Sequence, residues 1–149
     1  MEQINVQKKF IAQNLKLNLK VLGISNSKKM VISDSEIDLN NWYKLLDESK
    51  LKADFNVFQD KILELNLRNS LFVDNTASEV IPSTYSKYLK NGVGIITCNK
   101  IANSVDYSNY ELLKSLSRNN NSPFFYETNV GAALPAVSYT HLTLPTTRL

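Results

Sequence analysis

Residues 70–78 read SLFVDNTAS: three apolar residues in a row, an aspartate, then a run of small polar residues. The apolar piece is too short for a helix and is predicted to be a buried strand, with the polar run as its exit. Downstream the pattern recurs twice, in VGIITCNKIANS at 93–104 and in PFFYETNVGAALP at 123–135. Helices are predicted between these strands. Tyr85, Tyr88 and Leu89 mark one that Asn91-Gly92 stops, and Asp106 is placed to cap another running through Tyr110, Leu113 and Leu116.

Upstream, Ile4, Phe10, Ile11 and Leu15 are spaced for a helix over residues 3–15, and LNLKVLGIS is predicted to be a strand ending near Ser25. NSKKMVISDSEIDLNNW, residues 26–42, reads as a polar loop. Asp38 or Asn40 is then the cap of a short helix holding Trp42, Leu45 and Leu46. Phe55, Phe58, Ile62 and Leu65 place a further helix at about 54–66. Alternation of strand and helix implies an α/β fold: a doubly wound, mostly parallel sheet with helices on both faces. Strands buried on both faces should be nearly all apolar, as LFV, GIIT and FFY are. Ligands of such sheets collect beyond the carboxyl ends of the strands. The segments to read for function are therefore NSKK at 26–29, DNTAS at 74–78, CNKIANS at 98–104 and ETNVGAALP at 127–135, and they are expected to converge on one rim.

Bulk composition narrows the classes. The 149 residues suit one domain, with 43% hydrophobic and 21% charged residues. No run approaches the roughly 18 apolar residues of a membrane span, and MEQINVQKKF lacks a secretory h-region. A net charge of +3 scattered along the chain makes no nucleic-acid-binding stripe, and a single cysteine fits a reducing cytoplasm. Residues 137–149, VSYTHLTLPTTRL, have no acid and no apolar periodicity, and are expected to be a non-native read-through tail. They hold the only histidine, His141, which is therefore given no catalytic role.

Taken together, VDNTAS, TCNKIANS and YETNVGAALP, with GISNSKKM and IDLNNW before them, resemble the nucleotide-binding domain of homoserine dehydrogenase, especially the form fused to aspartokinase. The resemblance covers residues 1–136 and implies a Rossmann-like domain. It also implies an oxidoreductase of threonine and methionine biosynthesis, interconverting aspartate 4-semialdehyde and homoserine by hydride transfer with NADP(H). The parent enzyme is expected to be a cytoplasmic homo-oligomer. Two departures stand out. The family's first strand and GxGxxG turn are not found here, so this polypeptide by itself is expected to bind NADP(H) poorly and to turn over nothing. Ala133 stands where the family's GAGLP turn has its second glycine.

The residues then take roles, each beside a plainer one. Asn26, Ser27 and Lys28 stand where an NAD enzyme usually has an acid for the ribose hydroxyls, and two lysines there favour the 2′-phosphate of NADP(H) over NAD(H). The plainer reading is a solvated basic turn. Thr76 and Ser78 are placed to reach the nicotinamide ribose or pyrophosphate, or simply cap the next helix. Lys100 is the family's lysine beside nicotinamide and substrate; a lysine at a strand end is otherwise solvated. Cys98 has no histidine outside the tail to activate it and reads as core. Glu127 with the carbonyls of Val130, Ala132 and Leu134 makes an all-oxygen set matching the family's sodium site, against the alternative of a plain strand-to-helix corner. A different class also fits the alternation: a receiver-like signalling domain with Asp74 as phospho-acceptor and Lys100 as its partner. A third reading is a folded fragment with no activity of its own.

Overall fold

The computed structural model describes residues 1–104 and 106–126, and the chain divides into two compact units, residues 1–66 and residues from Leu67 on. In the first unit, α1 spans Glu2–Phe10 and runs into a π-helical turn, Ile11–Leu15, ended by Lys16 at φ 56°. The helical period is where the apolar spacing predicts it, yet none of its residues is buried.

The strand predicted over 17–25 is reduced to β1, Gly23–Ser25, and the following "loop" holds a second strand, β2, Met30–Ile32. The two pair antiparallel, Ser25 opposite Met30 and Gly23 opposite Ile32. This corrects the expectation that residues 26–29 lead from a parallel strand into a loop and helix. The reason is local: the Asn26 side-chain oxygen accepts from the N–H groups of Lys28 and Lys29, each at 2.8 Å, and bends the chain back. Met30-Val31-Ile32 then offers two β-branched residues to pair. Ile24, Ile37 and Leu46 form the buried cluster of this unit, with Val21, Val31 and Trp42 against it.

Two helices complete the unit. Helix α2 spans Trp42–Glu48, and Asn41 rather than Asp38 or Asn40 occupies its N-cap. Asp38 instead accepts from the Asn40 N–H at 2.9 Å and from the Asn41 amide at 2.7 Å, closing the turn before the helix. Those bonds, the Asn40 one first, hold its carboxyl below the usual range. Helix α3, Phe55–Glu64, starts at Asp54, whose carboxylate accepts from Asn56 and Val57 N–H at 2.9 and 3.0 Å.

The second unit is built on a three-stranded sheet, β3 (Leu71–Asp74), β4 (Gly94–Thr97) and β5 (Phe124–Phe125), all parallel in the order β3-β4-β5. Its crossovers are helical: a 3₁₀ turn at Ile81–Thr84 leading into α4 (Tyr85–Lys90), then α5 (Ile101–Ser104) and α6 (Tyr107–Asn119). Tyr85, Tyr88, Leu89, Ile95, Leu113 and Phe124 are all at most 5% exposed and make the core. Phe72 stacks on Tyr88 with ring centroids 4.5 Å apart, and Tyr85 meets Phe72 and Phe124 edge-on. Full burial of a side chain such as Leu89 contributes about 1.5–3 kcal/mol.

Two glycines set this topology. Gly92 ends α4 at φ 75°, a conformation that costs other residues about 1 kcal/mol or more. Gly94 opens the central strand where a Cβ would come within 2.8 Å of both Leu71 and Pro123. No helix among the described residues is long and apolar enough to cross a membrane.

Candidate functional site

Because β3 and β4 run parallel with Asp74 opposite Thr97, their exits leave the sheet side by side. The Cys98 N–H donates to the Asp74 carbonyl at 3.0 Å, extending the ladder one step beyond the strands. Asn75 to Ser78 on one side and Cys98 to Lys100 on the other therefore share the carboxyl end of the sheet, where ligands of parallel α/β domains sit.

Under this rim lies a buried polar group. Asp74 and Asn99 are 1% and 2% exposed, and Tyr85 and Thr97 are both fully buried. The Tyr85 phenol donates to Asp74 Oδ2 at 2.5 Å, and Asn99 Nδ2 donates to the same oxygen at 3.2 Å. Asp74 Oδ1 accepts from the Thr76 N–H at 2.8 Å. Asn99 Nδ2 also donates to the Ser78 carbonyl at 2.8 Å, and its Oδ1 accepts from the Ile101 N–H at 3.1 Å. Buried polar atoms so fully paired are stable where each unpaired one would cost about 1–3 kcal/mol. Burial, then the hydrogen bond to Asp74, pushes the Tyr85 phenol above its ordinary range.

The residues singled out from sequence take up distinct positions. Thr76 is exposed, its Oγ1 accepting from the Ser78 N–H at 3.2 Å. Ser78 is half-buried, its Oγ accepting from Val80 N–H at 3.2 Å and Ile81 N–H at 3.4 Å, so both hydroxyls take part in local caps. Lys100 is exposed, between buried Asn99 and the first residue of α5. The sheet thus brings Thr76, Ser78 and Lys100 to one end. Cys98, expected in the core, is half-buried at the exit, its thiol 3.6 Å from the Asp74 carbonyl and 3.7 Å from Asn75 Oδ1. The strand ends one residue before it.

Asn26, Ser27 and Lys28 belong to the first unit, at the tip of the β1–β2 hairpin, where all three are exposed. The structure adds a residue that sequence reasoning missed: Lys52 stands directly opposite Lys29 in an isolated antiparallel bridge. The Lys29 ammonium donates to the Asp47 carbonyl and lies 3.7 Å from the Asp47 carboxylate, which offsets the like-charge juxtaposition. Nothing local in the sequence links position 52 to position 29. An open polar depression of about 340 Å³ in the same unit, lined by Asn5, Lys8, Glu36, Asp38, Leu39 and Asn40, holds none of the predicted cofactor, catalytic or cation-binding residues.

The proposed cation ligands Glu127, Val130, Ala132 and Leu134 lie outside the described residues, as does the tail from 137. What leads up to them is described. Tyr126 follows β5, and its phenol is 3.0 Å from that of Tyr110 on α6. Lys114 Nζ is 3.4 Å from the Tyr126 oxygen and 5.1 Å from its ring centroid. The Tyr126 bond, then burial, raises the Tyr110 phenol. Among the described residues no group of three or more His, Cys, Asp or Glu side chains could hold a metal ion.

A parallel sheet with helical crossovers and polar segments gathered at its carboxyl end defines the class of α/β ligand-binding domains. Residues 4–127 match the family model described as "Homoserine dehydrogenase, NAD binding domain", and the chain belongs to that family. It is 40% identical over 139 residues to a bifunctional aspartokinase/homoserine dehydrogenase 2, chloroplastic, of Arabidopsis thaliana; the match covers 93% of this chain and 15% of that protein. Among solved structures it is similar to homoserine dehydrogenase from Thermoplasma acidophilum (TM-score 0.62, 20% identity, 97% of this chain and 44% of that one). It is also similar to a hyperthermophilic archaeal homoserine dehydrogenase in complex with NADPH (TM-score 0.55, 20% identity, 82% and 39%). At these identities the solved structures speak for a shared Rossmann-like fold. The chain spans about a sixth of the length of the Arabidopsis relative.

These findings remove the signalling alternative. A phospho-acceptor must meet its donor, whereas the Asp74 carboxylate is buried and already accepts from Tyr85, Asn99 and the Thr76 N–H.

Proposed function

We propose that this chain supplies the nicotinamide-nucleotide side of an enzyme that interconverts aspartate 4-semialdehyde and homoserine by hydride transfer. The observation that carries the reading is the juxtaposition of the Thr76–Ser78 and Lys100 segments at the carboxyl end of β3 and β4, within a chain of this family. In this reading the exposed Thr76 and the half-buried Ser78 contact the cofactor's ribose or pyrophosphate. Lys100 lies beside the nicotinamide and the substrate carbonyl. The nicotinamide supplies the hydride; the protein orients it and places positive charge where the carbonyl oxygen becomes negative.

NADP(H) is the cofactor we favour over NAD(H). The β1–β2 turn offers Asn26, Ser27 and Lys28 with no acid among them, while Lys29 behind it pairs in a backbone bridge with Lys52 and has its charge taken up by Asp47. A 2′-phosphate gains from such a site and a carboxylate there would repel it. A sodium ion held by Glu127 and the carbonyls of Val130, Ala132 and Leu134 is part of the same proposal and rests on the resemblance. We further propose that residues 1–136 are the native domain portion and 137–149 an unrelated tail.

The test is a titration of the purified chain with NADPH and with NADH, followed by nucleotide fluorescence. Weak saturable binding is expected, tighter for NADPH, with Lys28→Glu narrowing the difference and Lys100→Ala weakening both. Preference for NADH, or indifference to both substitutions, would overturn it. Homoserine-dependent reduction of NADP is not expected from these 149 residues alone.

A further inference from the structure

The two exits at the sheet's carboxyl end are tied together by side chains, and the direction of every bond can be worked out. A phenol has one proton, and Tyr85 gives it to Asp74 Oδ2, since a carboxylate oxygen accepts. The 2.8 Å contact between Tyr85 Oη and Thr97 Oγ1 must then carry the threonine's proton toward the tyrosine. Thr97 Oγ1 in turn accepts from the Asn99 N–H at 2.9 Å. The result is a directed chain, Asn99 N–H to Thr97 to Tyr85 to Asp74, which leaves the β4 exit and arrives at the β3 exit. Asn99 Nδ2 closes the circuit by donating to both Asp74 Oδ2 and the Ser78 carbonyl.

We infer that Tyr85 and Thr97 are positioning residues: their hydroxyls lock the segments 74–78 and 97–101 in one mutual register, so that Thr76, Ser78 and Lys100 are presented as a set. None of these four network side chains is itself exposed enough to meet a ligand, so the network acts through the loops it holds. The link to cofactor rests on the functional reading above; the locking itself does not. Parallel backbone bonding ends at Cys98. Beyond it the described hydrogen bonds between the two segments are those of Asn99 Nδ2 to Asp74 and to the Ser78 carbonyl and the long contact of the Cys98 thiol with Asn75 Oδ1. Asp74 and Asn99 each also hold their own loop through the Thr76 and Ile101 N–H groups.

The experiment is residue-resolved amide exchange on the full 149-residue chain, wild type against Thr97→Val, Thr97→Ser and Tyr85→Phe. Valine keeps the shape of threonine and removes the hydroxyl; serine keeps the hydroxyl. In Thr97→Val and Tyr85→Phe, the N–H groups of Thr76 and Ile101 should exchange about ten times faster. Those of Gly94 and Ile95, which bond to backbone carbonyls at 3.0 and 2.7 Å, should hold their protection. Thr97→Ser should behave as wild type. Acceleration of all four amides together, no acceleration, or equal behaviour of serine and valine would overturn the inference. A Thr97→Val chain that does not fold would overturn it as well, because the hydroxyl would then hold the fold and not the loops. NADPH titration of the same proteins separates the two proposals. Binding that weakens in Thr97→Val and recovers in Thr97→Ser supports both. No binding by wild type defeats the functional reading while the exchange data still decide the locking.

Discussion

Asp74 shows how much one buried carboxylate can organise. It accepts from a phenol, a side-chain amide and a backbone N–H, while its own exposure is 1%. Asp74→Ala takes the acceptor from the Tyr85 phenol and the Thr76 N–H and one of two acceptors from Asn99 Nδ2, and is expected to cost about 3 kcal/mol or more, read from urea unfolding. Asp74→Asn should cost less, since its amide oxygen still accepts, though its nitrogen faces a donor. The same site gives a pH dependence. The Tyr85 phenol is raised in the folded state, so the folded protein keeps a proton that the unfolded chain loses above about pH 10. Its contribution to stability is fully present below that pH and declines as pH rises beyond it, by at most about 1.4 kcal/mol per pH unit. Stability of Tyr85→Phe should fall less steeply above pH 10 than wild type; parallel curves would show that the phenol is not protected.

At the level of elements, the central strand β4 depends on the absence of a side chain at its first position. A methyl at Gly94 would stand 2.8 Å from a Leu71 methyl and from the Pro123 ring, so the leucine side chain would have to turn aside and the stiff proline ring would have to shift. Gly94→Ala should destabilise by about 1–3 kcal/mol, measured by thermal or urea unfolding. Helix α3 gives a milder case. Asp54 accepts from two first-turn N–H groups, and Asp54→Ala is expected to cost about 1 kcal/mol. An unchanged midpoint in Gly94→Ala would mean that the strand start is looser than its neighbours imply.

Across the whole sheet, the two faces differ. Phe72, Ile95 and Phe124 stand in register on one, where Ile95 and Phe124 are buried and the two phenylalanines meet the tyrosines of α4. Val73, Ile96 and Phe125 stand in register on the other, where Val73 and Phe125 are 50% and 48% exposed. Parallel strands read as continuous apolar runs because both faces are ordinarily covered, and that is how LFV and FFY read in the sequence. The asymmetry can be measured. Val73→Thr should leave the stability of this chain within about 0.5 kcal/mol, whereas Ile95→Thr should cost several times as much. Equal costs would show that the Val73 face is covered in solution.

How far the sequence reaches follows from the range of the forces involved. Local signals were legible: helical spacing at Phe55–Leu65, the Asn91-Gly92 stop after Tyr88 and Leu89, and the short apolar strands at 71, 94 and 124. Each depends on residues within a few positions of one another, as capping, turn geometry and periodicity do. The polar exits were legible for the same reason, and the order of elements was enough to expect β3, β4 and β5 in parallel. Pairing partners were not. Met30–Ile32 read as part of a polar loop, and its folding back on β1 depends on a hairpin closed by one asparagine side chain. Tyr85 read as a marker of the helix before Asn91-Gly92, and it opens α4. Its second role, a phenol joining Asp74 to Thr97 across 11 and 12 residues of sequence, exists only once the sheet and α4 have closed over it. Lys52 opposite Lys29 is the same lesson in charge. The sequence by itself determined the strands β3, β4 and β5, the helices with clear apolar spacing and the polar exits; only the tertiary structure decided the β1–β2 pairing and which side chains meet, because a hydrogen bond between distant residues leaves no trace in the spacing of either one.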